Sequence, residues 1–386
     1  MMLGGAVSSK SSSQSGKNPT LADVASLAGV SIATVSKVIN GKSDVAAKTR
    51  ERVEEAIDQL GYFKSDRIGT SSNLIELALQ HLDNPWTLNL LDGAAEVASS
   101  RGIRLVLSEI GDPRLLSTTW LDEVLARRPL GAILIFSNPS ADLSRRFASR
   151  RIPAVFVDPW GNPVLGTMSV QSDNWSGGLF ATRHLIELGH QRIGTITGPD
   201  GVMCSIARLD GYRTALHEAG LESDPRLIRQ GQFSVADGER FAMELLNLDN
   251  RPTAIFAQSD FLAMGVYKAA KHLGISIPDE LSVVGFDDIQ TAAFMGPALT
   301  TIHQPLTEMA ARAAKMILDT RSGKAVDPRA ILPNTLVVRE STCPPPNRIA
   351  QVNPAACLGL SSQKGPGRSR RRPHGPEEPD TPCHQV

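Results

Sequence analysis

From Leu74 onward the chain repeats one pattern, a short β-branched apolar run followed by an amphipathic stretch of helical period. The runs span residues 74–79, 103–107, 132–136, 154–157, 192–197, 253–257 and 281–286. Helical stretches such as 88–100, 175–188, 207–219 and 261–273 lie between most of them. Strands that read as unbroken apolar runs are covered on both faces, so the alternation predicts parallel sheets layered between helices. The runs are too many for one small sheet. Two similar α/β lobes over residues 74–342 are the economical reading.

Other parts of the chain have a different texture. Residues 1–18 are rich in Ser and Gly and read as a flexible arm; residues 19–63 are dense in helical signals; residues 64–73 are polar and read as a linker. Residues 343–386 are rich in Pro, Gly and Arg, with a basic run at 368–372 and an acidic one at 377–380. Such a tail cannot bury enough apolar surface to order itself and is expected to be disordered.

Charge and cysteines narrow the function classes. Lys+Arg and Asp+Glu both count 40, for a formal net charge of +0, so any nucleic-acid surface has to be a local patch. The 4 cysteines (Cys204, Cys343, Cys357, Cys383) are scattered, with no close pair and no histidine at metal spacing. That pattern predicts a reducing compartment, no disulfide frame and no metal site. The first residues lack the apolar core of a secretory signal, and no stretch is long and apolar enough to span a bilayer, so the expected location is the cytoplasm, with no membrane partner. No nucleophile–base pair or phosphate-cradling glycine loop is visible, so neither an enzyme nor a cofactor is expected.

The segment 19–63 carries a capping pattern, Thr20-Leu-Ala-Asp23, followed by Leu21, Val24, Ala25 and Ala28 on one helical face. Gly29 then offers a left-handed stop, and Ser31 caps a second helix with inner residues Val35, Val38 and Ile39. A third helix near 47–60 presents Val53, Ala56, Ile57 and Leu60. Three short helices with a tight turn between the first two are helix-turn-helix anatomy. On periodicity alone, a small helical bundle with a polar outer face fits as well. In the helix-turn-helix reading, Ser31, Ile32, Ala33, Thr34, Ser36, Lys37 and Asn40 form the outer side of the second helix. Lys37 can donate to guanine, Ile32 and Ala33 can touch thymine methyls, and Thr20, Ser36, Asn40, Lys48 and Thr49 can hold phosphates.

The run from Thr20 to Gly41, then Lys48-Thr-Arg-Glu-Arg-Val53 and Gly61-Tyr62, resembles the headpiece of the LacI/GalR family of bacterial repressors. The resemblance puts Ile32, Ala33 and Lys37 at the positions that choose the operator sequence, and Leu21, Tyr62 and Arg67 complete the set expected at DNA. Past Tyr62 the chain departs from the family, lacking its Pro-Asn and the helix whose Leu wedges into the minor groove. The segment 63–70 is shorter by about one helical turn. Arg67 and Ile68 stand as a substitute clamp and wedge, and a plain tether fits as well, because Gly69 and the serines form helices poorly.

The resemblance extends through the α/β part, on Asp83-Asn-Pro-Trp86, Asp173-Asn-Trp-Ser-Gly-Gly178, the block 184–193, Arg208-Leu-Asp-Gly-Tyr212, Val284-Gly-Phe-Asp-Asp288 and Leu299-Thr-Thr-Ile-His-Gln-Pro305. It implies an all-α headpiece before a periplasmic-binding-protein-like domain of two Rossmann-like lobes, joined by three crossings near 171–173, 289–304 and 332–334. It also implies a homodimer on near-palindromic double-stranded DNA, with a small effector, expected to be a carbohydrate, in the cleft. Parallel strands end in loops that converge on such a cleft. Asp287 ends the run 281–286, Asp158 and Asp173 end the strands near Val157 and Val170, and Trp86 and Phe233 offer stacking faces. The resemblance puts Arg208, Phe233 and Asp287 at effector-contact positions and Ser259 where members often carry Asn. The alternative is a sugar-binding protein whose coupling to DNA is weakened or lost, motivated by the short linker. Structural readings accompany several residues: Asp287 or Asp260 as helix caps, Arg208 in a surface ion pair, Trp86 as core, and His184, His190 and His303 as structural groups.

Overall fold

A computed structural model describes residues 19–39, 45–60, 72–80, 82, 85–111, 118–136, 138–161 and 166–346. The arm, Asn40, Tyr62, Arg67, most of the linker and the tail from residue 347 lie outside the described residues.

The headpiece has helices α1 (Leu21–Ala28), α2 (Ile32–Ile39) and α3 (Ala47–Leu60). The Thr20 hydroxyl accepts the Asp23 N–H at 3.3 Å, and the Asp23 carboxylate accepts the Thr20 N–H at 2.6 Å, a reciprocal cap. At the other end Gly29 takes φ 63°, a conformation that favours glycine. The chain then bends by 103° into α2, where the Ser31 hydroxyl accepts the Thr34 N–H at 3.1 Å. Val24, Ala25, Ala28, Val35, Val38, Val53 and Ala56 form the buried core. Arg52 of α3 donates to the carbonyls of Ala28 and Gly29 at 2.6 and 3.3 Å, satisfying acceptors that the end of α1 leaves open.

Two six-stranded sheets follow. The first lobe contains β1 (Leu74–Leu79), α4 (Pro85–Ser99), β2 (Arg104–Glu109), α5 (Thr118–Arg127), β3 (Gly131–Ile135), α6 (Ala141–Ala148), β4 (Ala154–Val157) and β5 (Met168–Ser172). The second contains α7 (Asn174–Glu187), β6 (Ile193–Thr197), α8 (Met203–Glu218), β7 (Ile228–Gln230), α9 (Val235–Leu246), β8 (Ala254–Ala257), α10 (Asp260–Leu273), β9 (Ser282–Asp287) and β10 (Thr300–His303). The chain returns to the first lobe for α11 (Leu306–Arg321) and β11 (Arg329–Leu332), then ends in the second with β12 (Thr335–Val337). The orders are β11-β5-β4-β3-β1-β2 and β12-β10-β9-β8-β6-β7. Every pair is parallel except β10–β12.

Each sheet is apolar on both faces, as the unbroken runs require. In the first lobe Leu90, Ala94, Met309, Ala313 and Ile317 cover one face, and Trp120, Leu143 and Phe147 the other. The lobes are joined where β5 passes to α7, β10 to α11 and β11 to β12. The first and third crossings fall where the sequence places them. The second is confined to Gln304 and Pro305; the residues from 289 to 303 stay in the second lobe, where a 3-10 turn (Gln290–Phe294) leads into β10.

The second lobe also reaches past the boundary expected at 342. Cys343 is buried; its N–H donates to Ser282 Oγ at 3.0 Å and its carbonyl accepts His190 Nε2–H at 2.9 Å. Thr253 Oγ1 pairs with the other ring nitrogen at 2.8 Å. Burial holds His190 neutral, lowering its pKa to about 4. His184 pairs with Thr342 Oγ1 at 2.9 Å and His303 with Asp288 at 3.0 Å, so the three histidines fill the structural places read for them.

Candidate functional site

The headpiece presents a polar face around the start of α2. Ser31, Ile32, Ala33 and Lys37 are exposed, and Thr34 and Ser36 are half-buried. Ile32 keeps 53% of its surface in solvent, a large apolar side chain with no part in the headpiece core. Thr20 and Lys48 are exposed at the starts of α1 and α3, with Thr49 half-buried. Leu21 differs from the others, because it packs against the headpiece core. The face is small, carries two exposed lysines, Lys37 and Lys48, and is held by two capped helix starts, which is the form a major groove accepts.

The second site lies between the lobes, where the C-terminal ends of strands from both sheets meet. It is a cleft of about 570 Å³. From the first lobe come Leu79 and Gln80 after β1, Trp86 and Thr87 at the start of α4, Ile135 and Phe136 after β3, and Trp160 after β4. From the second come Pro199, Arg208, Gln232, Phe233, Ser234, Ser259, Phe261 and Asp287. Phe136 sits at the middle of an aromatic wall. Its ring lies edge-on to Trp86 at 5.6 Å, to Trp160 at 6.4 Å and to Phe233 at 6.2 Å, so the wall crosses from one lobe to the other. The Met203 N–H, at the start of α8, donates to the Trp160 carbonyl at 3.2 Å and joins the lobes along the same edge.

Opposite the rings stands a buried charge pair. Arg208, only 3% exposed, lies 3.6 Å from Asp287. Its Nε donates to Asn174 Oδ1 at 2.8 Å and its Nη1 to the Gln258 carbonyl at 2.6 Å. The guanidinium lies over the Phe286 ring at 3.6 Å, a cation–π contact that offsets part of its desolvation. It can sit so deep because Gly178 on α7 lets α8 approach closely; a Cβ there would lie 2.2 Å from the Arg208 carbonyl oxygen. Asp287 takes φ 112° and Asp288 φ 55°, two consecutive non-glycine residues in the left-handed half of the map. Strain of that kind persists only where neighbours over-determine it. Here Asp260 accepts the Ile289 N–H at 2.9 Å and the Thr301 hydroxyl at 2.6 Å, while Arg339 reaches Asp288 at 2.6 Å. The two adjacent aspartates therefore face different partners and cannot share one substrate.

Burial raises the carboxyl pKa values around this pair. Asp158 is pushed up to about 6, with the Arg208 charge acting against the shift. Asp287 moves the same way for the same reason, and Asp158 beside it adds to the rise. Asp260 is also raised, first by burial and then by the Asp287 charge.

The sequence-predicted effector residues divide into two groups. Trp86, Arg208, Phe233, Ser259 and Asp287 come together on the cleft wall. Ser259 also caps α10, accepting the Leu262 N–H at 3.2 Å, which leaves Asp260 beside it to hold the Asp287 turn. Asp158 and Asp173 are not among the lining residues. Asp158 lies beneath the floor, where Gln304 Nε2 donates to it at 3.4 Å. Asp173 caps α7, accepting the Ser176 N–H at 3.1 Å and its hydroxyl at 2.6 Å. A carboxylate ending a strand one residue before a helix has those N–H groups nearer than the cleft.

Comparison with known proteins bears on both sites. Residues 20–65 match the model of bacterial regulatory proteins of the lacI family, and residues 182–342 that of the periplasmic binding protein-like domain. The transcriptional regulator DegA of Bacillus subtilis (strain 168) is 36% identical over 335 residues, covering 84% of this chain and 98% of the relative. The chain belongs to the LacI family. Among solved structures, the transcriptional regulator CelR in complex with cellobiose is similar with a TM-score of 0.66 and 33% identity, over 84% of this chain and 99% of that one. The lac repressor dimer bound to operator and the anti-inducer ONPF gives 0.64 and 30%, over 85% and 100%. As a LacI-family member the chain is a DNA-binding transcriptional regulator. Among the described residues, no single helix is long and apolar enough to cross a membrane.

Phe136, Trp160 and Gln304 were not singled out by the sequence reading. Phe136 ends the apolar run 132–136, one residue past β3, and Trp160 follows the run 154–157, so an aromatic at or just past the end of a parallel strand was the usable signal. Gln304 carries no such mark. Its role appears only when the second crossing brings it beside Asp158 and within 3.4 Å of Trp86 Nε1.

Proposed function

We propose that this regulator is a repressor whose hold on its operator is set by a neutral carbohydrate bound between the lobes, and that it acts as a cytoplasmic homodimer. The observation that carries the reading is the Arg208–Asp287 pair facing an aromatic wall across one cleft. A sugar offers vicinal hydroxyls, which a guanidinium and a carboxylate side by side can donate to and accept from, and a C–H face that packs on rings. Among the described residues, Arg208 is the only Lys or Arg lining the cleft, and its charge is met by Asp287, which disfavours phosphorylated or carboxylate effectors. Trp86, Phe233, Ser259 and Asp287 contact the effector directly in this reading, Arg208 orients it, and Asp158 and Asp173 support the floor and the helix beside it. The relative solved with cellobiose points to the same class of ligand.

On the DNA side, Ile32, Ala33 and Lys37 read bases, Thr20, Ser31, Thr34, Ser36, Lys48 and Thr49 hold register, and Leu21 sets the angle of α1. Asn40, Tyr62 and Arg67, outside the described residues, belong to the DNA contacts in the same reading. Two headpieces have to meet half-sites about one turn apart, roughly 34–36 Å. Effector weakens operator binding only as far as operator weakens effector binding. Fluorescence anisotropy with promoter DNA checks the DNA half: binding is sequence-selective, and Lys37→Ala costs about 1–3 kcal/mol of discrimination. Equal affinity for scrambled DNA overturns it. A thermal-shift panel of sugars checks the cleft, where the stabilising sugar fails to stabilise Asp287→Ala. The departure of residues 63–70 from the family pattern favours one other reading, a sugar binder uncoupled from DNA; a sugar that raises the melting point and leaves operator affinity unchanged would establish it.

A further inference from the structure

The strands of the first lobe all begin at one pole, because the register sets Leu74 beside Arg104, Ile75 beside Gly131, Ala132 beside Ala154, Val155 beside Met168 and Ser169 beside Arg329. Basic residues recur at those starting points. Arg104 and Arg329 open β2 and β11, Arg101 precedes β2, Arg128 precedes β3, Arg151 precedes β4, and Arg321 ends α11. All six are exposed. They share one surface, since Arg321 donates to the Arg151 carbonyl at 3.1 Å and the Arg104 N–H to the Asn73 carbonyl at 3.1 Å. Among the described carboxylates at this pole, Glu76 is buried against Arg127 at 2.8 Å, Asp319 holds Lys324 at 2.9 Å with Arg101 also in its field, and Asp327 accepts the Arg329 N–H at 3.1 Å, so the arginines outnumber them. In a chain of formal net charge +0, this is a concentrated positive field.

The chain coming from the headpiece enters the lobe at this pole. The Ser72 N–H donates to the Arg128 carbonyl at 3.2 Å and its hydroxyl to the Arg127 carbonyl at 2.6 Å. The covalent path from Leu60 to Ser72 can span at most roughly 40 Å. The Arg150 guanidinium reaches the Ile39 carbonyl, at the end of α2. The arginines and the DNA-facing helix therefore belong to one end of the molecule.

We propose that this arginine belt is a second DNA surface, which takes backbone phosphates flanking the sequence read by α2. A guanidinium fork matches a phosphate with two parallel N–H bonds, and such contacts add affinity and register without reading bases. The linker is about one turn shorter than the family pattern, which shortens the distance the belt has to cover. The belt extends the regulator reading and depends on it.

The test uses the full chain, a random-sequence duplex of ~40 base pairs (about four turns) and the triple variant Arg101→Gln, Arg104→Gln, Arg329→Gln. Each phosphate contact contributes about 0.9 to the slope of log K against log salt, so the triple variant should lower that slope by about 2–3. Random and promoter duplexes should lose affinity alike, while the response to the stabilising sugar stays as in the wild type. Arg104→Gln alone should lower the slope by about 0.9 and serves where the triple variant folds poorly. An unchanged slope in a variant that melts like the wild type overturns the belt and leaves the regulator standing. A wild-type chain with no salt-dependent DNA binding overturns both.

Discussion

Lobe 1 meets the cleft with rings alone as its large groups, Trp86, Phe136 and Trp160, whereas lobe 2 adds the buried Arg208–Asp287 pair to its two rings, Phe233 and Phe261. Both lobes are parallel sheets between helices, so the contrast lives in the residues just past the strand ends and not in the architecture. It teaches that the two halves hold their contact groups by different means. The rings are held chiefly by edge-on contacts with one another, with one polar contact from Trp86 Nε1 to Gln304 at 3.4 Å. A buried charge pair must have its hydrogen bonds in place beforehand, here from Asn174, the Gln258 carbonyl and the Asp260-braced turn. In the proposed reading, lobe 2 orients the sugar and lobe 1 covers it.

Breaking lobe 2 should have the largest effect. Arg208→Ala leaves Asp287 and Asp158 buried without their cation, and removing one partner of such a pair costs about 3–5 kcal/mol. Urea unfolding should show the loss, and sugar-induced stabilisation should vanish with it. A midpoint close to wild type would mean that the pair is not the organising element of the lobe.

Proton linkage should give an intermediate effect. The folded pKa of Asp158, about 6, lies above its ordinary value of 3.8, so the folded state binds the proton more tightly than the unfolded chain. Stability from this group is greatest below about pH 4, falls as pH rises toward 6 and is level above, a change of order 3 kcal/mol at most. Asp158→Asn should make the decline in unfolding measurements across pH 4–7 shallower without abolishing it, because Asp287, raised to about 7, supplies the rest. A slope as steep as wild type would remove Asp158 from the account.

The smallest effect should come from lobe 1. Trp160→Ala removes one face of the wall and should weaken sugar binding by about 1 kcal/mol, with little change in stability. Calorimetric titration checks it. A loss as large as that of Arg208→Ala would dissolve the distinction between a lobe that orients and a lobe that covers.

The headpiece was legible nearly whole in the sequence, because each of its signals is local. The Thr20–Asp23 cap, the Gly29 stop and the spacing of Val24, Ala28, Val35 and Val38 all act within a few residues. β1 and β4 matched their apolar runs to the residue. The cleft was legible where a marked residue type ends a strand run, as with Asp287, and where family resemblance pointed, as with Arg208 and Phe233. Asp158 and Asp173 were misplaced because strand-end position does not tell whether a carboxylate faces the cleft or turns back to a nearer N–H. Asp260 and Gln304 act through partners 29 to 218 residues away, a separation that no local pattern encodes.

The clasp of Cys343 by His190 and Ser282 ties the last described residues, ending at Pro346, to the start of β9. Ser282 opens β9, and the parallel strands of both lobes run toward the cleft, so their starting ends face opposite ways. A fluorescent protein fused at that position would project from the tip of lobe 2 remote from the linker, free of both the operator and the sugar entrance. That tip is the natural mounting point for immobilising the regulator on a sensor chip, with its two working surfaces left open to solution.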